Sequence, residues 1–489
     1  MTQEGPSFVN ISEPELFIDG GFRTASGVEP VIDATTEQLL GEGPSADIGD
    51  IDDAVAASRR ALREWSTTPA VDRARLLERF ADALTARAVK TSELCTREIG
   101  SPITFSRIMN GLVPAAVLRY YAALISKTDG EEIRHSASGN TIVRREPVGV
   151  VGAIVPWNVP QVLAAMKLAP ALAAGCTVVL KAAPETALDA RAFGEAAAEA
   201  GLPPGVLNVT AGGGKAGAYL VSHPDVDKVA FTGSSEVGRV IAETCGRLMR
   251  PVTLELGGKS AAIILDDADL ELTMRGLRTS AFANNGQMCY ASTRVLAPQS
   301  RYREVVAALA DMTKSLRVGD PLDETTEIGP LASARHRERV LGYIEIGKAD
   351  GARLVTGGGA PTDQPRGWYA APTVFADVDN SARIAREEIF GPVLTVTPYG
   401  TDAEAVDLAN DSDFGLAGTV WSSDEARATE IARGVRTGTI GINGYQLDVD
   451  APFGGVKASG VGRELGPEGL AAYQTLKSIF RLGSPAETT

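Results

Sequence analysis

A doubly wound α/β protein is the fold class this chain predicts, and three observations carry it. Short apolar runs alternate with helical stretches four times between Gly149 and Leu248. Strand–helix repeats of this kind build parallel sheets through right-handed crossovers. A second α/β pattern opens at Ser260-Ala261-Ala262-Ile263-Ile264-Leu265 and continues to about residue 457. The 489 residues, 44% hydrophobic and 22% charged, are enough for two or three globular domains with substantial cores.

The first 50 residues mix Gly, Pro and short β-like runs such as Leu16-Phe17-Ile18-Asp19-Gly20-Gly21. From Ile51 to about Lys127, Ala, Leu and Arg recur at helical spacing. The alternating stretch Thr141-Ile142-Val143-Arg144-Arg145-Glu146 reads as an exposed strand. Gly149–Ile154 then reads as a buried strand, with a helix over Val159–Ala174. Thr177–Lys181 is a second strand before a helix over Ala187–Ala200, and Val206–Val209 a third before a helix through Val221. Lys228–Thr232 is a fourth, with a helix over Val237–Leu248. Val252-Thr253-Leu254 is another apolar strand, and Thr475–Arg481 a lone terminal strand that, with Thr141–Glu146, is expected to extend a sheet across a subunit boundary.

A formal charge of −15 argues against a nucleic-acid or anionic-membrane surface. No run of about 18 uninterrupted apolar residues predicts a membrane span. Met1-Thr2-Gln3-Glu4-Gly5-Pro6 lacks the basic start and apolar core of a secretory signal, so the cytoplasm is the expected location. Cys95, Cys176, Cys245 and Cys289 are too scattered for a disulfide framework or a CxxC metal site, and no metal is expected. His135, His223 and His336 read as surface or capping residues.

The chemistry-bearing signals are modest one by one. Cys289 ends the turn-forming run Asn284-Asn285-Gly286-Gln287-Met288-Cys289, and Glu255 closes an apolar strand 34 positions earlier, followed after Leu256 by Gly257 and Gly258. A thiol that attacks a carbonyl, with a carboxylate that activates water, suits oxidative acyl chemistry once a hydride acceptor is supplied. Alone, Cys289 reads more readily as a small buried hydrophobe and Glu255 as one half of a structural ion pair. Two loops compete for a dinucleotide. Gly212-Gly213-Gly214-Lys215-Ala216-Gly217 matches G-x-G-x-x-G literally, but no acidic residue closes a strand about 20 positions on. Phe231-Thr232-Gly233-Ser234 departs from that pattern yet offers a helix N-terminus to a pyrophosphate. Lys181 ends a strand at the ligand-binding edge of the sheet, where it suits a ribose or a solvated strand end. Asn158, after Pro156-Trp157, suits an oxyanion donor or a helix N-cap.

In combination these segments resemble the aldehyde dehydrogenase superfamily over nearly the whole chain. The series Pro156-Trp157-Asn158, Lys181, Phe231-Thr232-Gly233-Ser234, Glu255-Leu256-Gly257-Gly258-Lys259-Ser260, Gly286-Gln287-Met288-Cys289, Glu388-Ile389-Phe390-Gly391-Pro392 and Pro452-Phe453-Gly454-Gly455-Val456-Lys457 carries the likeness. The resemblance implies an NAD(P)-binding domain over 1–127 and 148–257, a catalytic domain over 258–457, and a β oligomerisation arm from 128–147 and 473–485. It implies Cys289 as nucleophile, Glu255 as general base, and Asn158 with the Cys289 backbone N–H as oxyanion hole. Lys167 and Glu464 match positions that help relay protons. Lys181 would bind the adenosine ribose and Glu388 the nicotinamide ribose, with Phe390 by the nicotinamide. Pro156, Trp157, Gly213, Phe231, Thr232, Gly233, Ser234 and Leu256 would complete the cofactor site, with the Gly212 loop demoted as the main phosphate cradle. Val159, Met166, Met288, Tyr290 and Phe453 would line an apolar aldehyde tunnel with no arginine clamp, which favours uncharged aliphatic or aromatic aldehydes. Many members carry a glutamate three residues after the ribose-binding lysine, whereas this chain has Pro184 and then Glu185. NAD is favoured and NADP left open. A homodimer or homotetramer is implied. Acyl transfer to coenzyme A, or a catalytically silent protein of the same fold, are the alternatives.

Overall fold

A computed structural model describes residues 14–127, 130–137 and 139–481. The N-terminal hexapeptide, and positions 128, 129, 138 and 482–485 of the expected arm, lie outside the described residues.

Five parallel strands form the heart of the first sheet: β1 (Val150–Ile154), β2 (Thr177–Ala182), β3 (Leu207–Ala211), β4 (Lys228–Thr232) and β5 (Val252–Glu255). They are joined through α1 (Pro160–Ala174), α2 (Arg191–Ala200), α3 (Gly214–Ser222) and α4 (Ser235–Arg247). All residues of β1 to β4 are buried, as expected for strands covered on both faces. Their spatial order is β5-β4-β1-β2-β3, so successive strands step one way from β1 and then the other. The carboxyl ends of β1 and β4 therefore flank the switch point, where such sheets leave a crevice for ligands. Glu15–Ile18 and Gly21–Thr24 extend the β3 edge as an antiparallel hairpin. Gly460–Val461 pairs antiparallel with β5. That last pairing returns residues from beyond position 457 to the first sheet, which the sequence did not announce in so short a strand.

Where boundaries shift, proline and capping residues account for it. Pro184 turns the chain through a 3₁₀ segment, Pro184–Thr186, so α2 starts at Arg191 and not at Ala187. Ser234 accepts a hydrogen bond from the Val237 N–H and so caps α4, which begins at Ser235. The helical region after Ile51 resolves into Ile48–Trp65, Ala70–Ile99 and an interrupted run over Ile103–Ile125. This last run is long and apolar enough by composition to cross a membrane, but half of its apolar window is buried within the protein.

A second sheet of seven strands follows the order Arg353–Thr356, Thr373–Ala376, Val393–Tyr399, Arg294–Pro298, Ala261–Ile264, Gly418–Trp421, Gly441–Ile442. All of its pairings are parallel except that of Arg353–Thr356. Away from both sheets, Glu131–Ser136, Gly139–Pro147 and Gln474–Arg481 form an antiparallel sheet in which Phe480 is 72% exposed.

Candidate active site

The residue run around Cys289 is shaped by its own side chains. Asn284 and Asn285 both adopt left-handed φ (51° and 62°), a conformation Asn tolerates better than most residues. The Asn285 amide donates to the carbonyls of Gly100 and Pro330 (both 2.8 Å) and accepts from the Gly329 N–H at 2.7 Å. Asn284 Nδ2 donates to the Asn158 carbonyl at 2.8 Å, and Gln287 Oε1 accepts from the Ala332 N–H at 3.0 Å. Two glycines permit the close approaches. A Cβ on Gly286, which has φ +75°, would lie 2.3 Å from the Gly391 carbonyl oxygen, and one on Gly258 would lie 2.4 Å from that of Cys289.

This loop meets the switch point of the first sheet in a cavity of about 250 Å³. Its walls include Pro156, Trp157 and Asn158 after β1, and Thr232, Gly233 and Ser234 after β4. Leu256, Cys289, Glu388 and Phe390 complete the set of sequence-designated residues that converge there. Cys289 is half-buried. Burial, then the carboxylates of Glu388 and Glu255, push its thiol up to about 12, so without a compensating positive charge it stays protonated. Asn158 does not cap α1: that position is Val159, with no side-chain cap. The Asn158 Nδ2 instead donates to the Gln287 carbonyl at 3.0 Å. An amide has two N–H donors, so one is left for the cavity.

Glu255 is paired in register with Thr232 on the neighbouring strand and is 3% exposed. Neither carboxylate oxygen has a well-aligned donor among the described residues, and the Gly455 backbone gives only a weak favourable contact. Burial, and then the charge of Glu464, hold Glu255 well above the usual carboxylate range, against the pull of Lys167 and Arg463. The structural ion pair considered for Glu255 belongs instead to its neighbours. Lys167, fully buried on α1, pairs with Glu464 and donates to Thr232 Oγ1 at 2.6 Å.

Glu388 accepts the Gly258 N–H at 2.8 Å, and burial raises its carboxyl to about 6. Lys181 is not the solvated strand end it resembles in sequence: it is 6% exposed. Burial lowers its ammonium to about 8, with Glu185 and Glu29 acting in the opposite sense. Gly213 caps α3, away from this cavity. Phe231 is buried beneath Gly233, whose Cβ would lie 2.4 Å from its ring.

Two residues of the cleft carry no sequence signal of their own. His336, read as a surface or capping residue, packs its ring 5.1 Å from Trp157 and 5.9 Å from Phe390. Its Nε2 stands 2.7 Å from the Phe390 carbonyl, an acceptor only, so that nitrogen carries the proton. Burial lowers the imidazole to about 4. Arg339, one turn on, donates to the Glu388 carbonyl at 2.7 Å. Both lie on the helix Ala334–Ala349, whose contact with segment 388–390 spans some 50 positions and leaves no local pattern.

A larger cavity, about 550 Å³, borders the same loop through Asn284 and Tyr290. Phe105, Met109, Val113, Leu447 and Val449 give it an apolar lining. Tyr290 stacks on Tyr445 with centroids 4.7 Å apart. The other expected tunnel residues, Val159, Met166, Met288 and Phe453, are buried in the core cluster against which Cys289 and Tyr290 pack. Arg278 reaches this cavity but is paired with Glu327. Away from the cleft, ligand atoms of Cys95, Glu98 and Asp189 lie within 4.8 Å of one another, and Glu98 accepts the N–H groups of Leu188 and Asp189.

A sequence profile of the aldehyde dehydrogenase family matches residues 22–479. The chain is 53% identical over 480 residues to a geranial dehydrogenase of Castellaniella defragrans, covering 97% of this chain and all of that protein. It superposes with a TM-score of 0.94 on a Mycobacterium tuberculosis aldehyde dehydrogenase complexed with NAD+, at 46% identity and over 97% of this chain and 99% of that one. A mutant of aldehyde dehydrogenase C from Pseudomonas syringae, complexed with NAD+ and octanal, matches at TM-score 0.93 and 37% identity, with full coverage of both chains. Agreement of this extent in sequence and in fold places the chain in the aldehyde dehydrogenase family, as an oxidoreductase that acts on aldehydes.

Proposed function

We propose that this protein oxidises an uncharged, largely apolar aldehyde to its carboxylic acid with NAD, through a covalent intermediate on Cys289. The observation that carries this reading is the convergence of Cys289, Asn158, Glu388 and Phe390 on one cleft at the sheet's switch point. The crystallised relatives with NAD+ bound support the choice of cofactor. Ser234 and Gly233 would face the pyrophosphate, Lys181 the adenosine ribose, and Glu388 the nicotinamide ribose. NAD+ held there would supply the hydride acceptor and a positive charge beside the thiol.

The chain's own groups do the rest. With NAD+ bound, the Cys289 thiol loses its proton to water in the cleft and Sγ bonds to the carbonyl carbon, while the Asn158 amide and the Cys289 backbone N–H donate to the oxyanion that forms. Loss of hydride from that carbon leaves a thioester on Cys289. Glu255 takes a proton from the water that attacks the thioester, and the acid leaves as the thiol is restored. Lys167 and Glu464 sit where they would pass that proton onward. The presence of Glu255, with no well-aligned donor to its carboxylate among the described residues, favours water over coenzyme A as acyl acceptor. The apolar second cavity, the engagement of Arg278 by Glu327, and the geranial dehydrogenase relative all support an apolar substrate. The exposed Leu476, Ile479 and Phe480 of the arm support a homo-oligomer, with 128–147 and 473–485 joining subunits.

The test is NAD reduction with hexanal, benzaldehyde, geranial and succinate semialdehyde, without coenzyme A. NADH formation with the first three is expected, at higher kcat/KM than with the semialdehyde. NADH formation that requires coenzyme A, or preference for the charged aldehyde, would contradict the reading. Cys289→Ala should abolish turnover while NAD still binds.

A further inference from the structure

The surroundings of Lys181 hold a carboxylate from a remote part of the chain. Strand Gly27–Ile32 pairs antiparallel with Leu39–Ser45, setting Glu29 opposite Gly43. The Ala46 N–H donates to the Ala211 carbonyl at 2.8 Å, which lays this hairpin over the carboxyl end of β3, beside the end of β2 that bears Lys181. Ser45 Oγ donates to Glu29 Oε1 at 2.8 Å and fixes the carboxylate. A Cβ on Gly213 would lie 4.0 Å from that same oxygen, so Glu29 faces the glycine turn between β3 and α3. Glu185, from the turn after β2, also acts on Lys181, and both carboxylates favour its charged form.

We propose that Glu29 is a specificity-determining residue for the cofactor, its Ser45-held carboxylate excluding a ribose that bears a 2′-phosphate. This rests on the reading of Lys181 as the adenosine-ribose anchor. An ionised carboxylate only accepts hydrogen bonds, so it suits a ribose hydroxyl and repels a phosphate. Glu29 is half-buried, so salt screens this repulsion less than it would between exposed charges. The sequence places Pro184 and then Glu185 near this site, and Glu29 reaches it only through the hairpin.

The experiment measures kcat/KM for NAD and NADP in the wild type, Glu29→Gln, Glu185→Gln and Lys181→Met. In Glu29→Gln the amide oxygen still accepts from Ser45, so the hairpin is preserved. Its kcat/KM for NADP should rise roughly tenfold, through a lower KM, as expected when one like-charge contact is removed. The NAD-to-NADP preference should fall with it, and Lys181→Met should raise KM for both cofactors. An unchanged preference in Glu29→Gln, with KM raised in Lys181→Met, would overturn the role of Glu29 and leave the ribose site standing. A shift confined to Glu185→Gln would assign the role to Glu185 instead. Unchanged KM in Lys181→Met would overturn the anchor itself, and the inference with it.

Discussion

Glu255 is the residue whose surroundings set the strongest constraint. Its carboxylate is buried, close to Glu464 and without a well-aligned donor among the described residues, so the protonated form is favoured. A carboxyl whose pKa is raised on folding contributes stability that is present below its unfolded value and lost as pH climbs through the folded one. Glu255→Gln removes that titration. It should therefore melt above the wild type at pH 8 and approach it near pH 4, as followed by calorimetry. The same variant should keep a first burst of NADH but lose steady-state rate, and the rise of wild-type kcat with pH above the ordinary carboxylate range should disappear. His336 makes a different prediction. Held neutral to about 4, it should leave no inflection near pH 6.5 in binding of NAD. His336→Ala, which strips the ring from Trp157 and Phe390, should raise KM for NAD more than it lowers kcat. Cys289 and Glu255 were legible in the sequence because glycines and turn-forming asparagines mark them locally. His336 was not, since its partners Trp157 and Phe390 lie far away along the chain.

At the scale of elements, the loop 283–289 is held by amide side chains more than by backbone pairing. Asn285 alone connects it to Gly100, Gly329 and Pro330. Asn285→Ala would leave those buried groups unpaired and place alanine at a left-handed φ, costing about 2 kcal/mol or more. Urea denaturation should show a matching fall in midpoint, together with slower alkylation of Cys289 in the presence of NAD. The strands of the first sheet were readable because a doubly covered strand is a short apolar run bounded by Gly, Pro or polar residues. Helix starts were less so, as α2 and α4 depend on Pro184 and Ser234, residues that read equally well as loop. The apolar cavity wall from Phe105 to Val113 was missed because its run reads only as one more amphipathic helix.

At the scale of the whole molecule, distant segments are recruited to one site. Gly460–Val461 closes the edge of the first sheet, and Ser459 accepts the Gly415 N–H while donating to the Gly257 carbonyl. Such closures involve two-residue strands, too short for any periodicity to register. Two strands of the third sheet were visible in sequence, Thr141–Glu146 by its alternation and Thr475–Arg481 as a terminal run, whereas Glu131–Ser136 was not; the exposed Phe480 and Leu476 mark an apolar face. Phe480→Glu combined with Leu476→Glu should reduce the mass seen by light scattering towards that of one chain. The proposed reaction depends on covalent chemistry at one thiol. Its most direct test is mass spectrometry of Glu255→Gln, quenched with acid after mixing with NAD and hexanal. A hexanoyl group on the peptide containing Cys289, and on none of those containing Cys95, Cys176 or Cys245, is the predicted result. NADH released with no acyl group on Cys289 would contradict it.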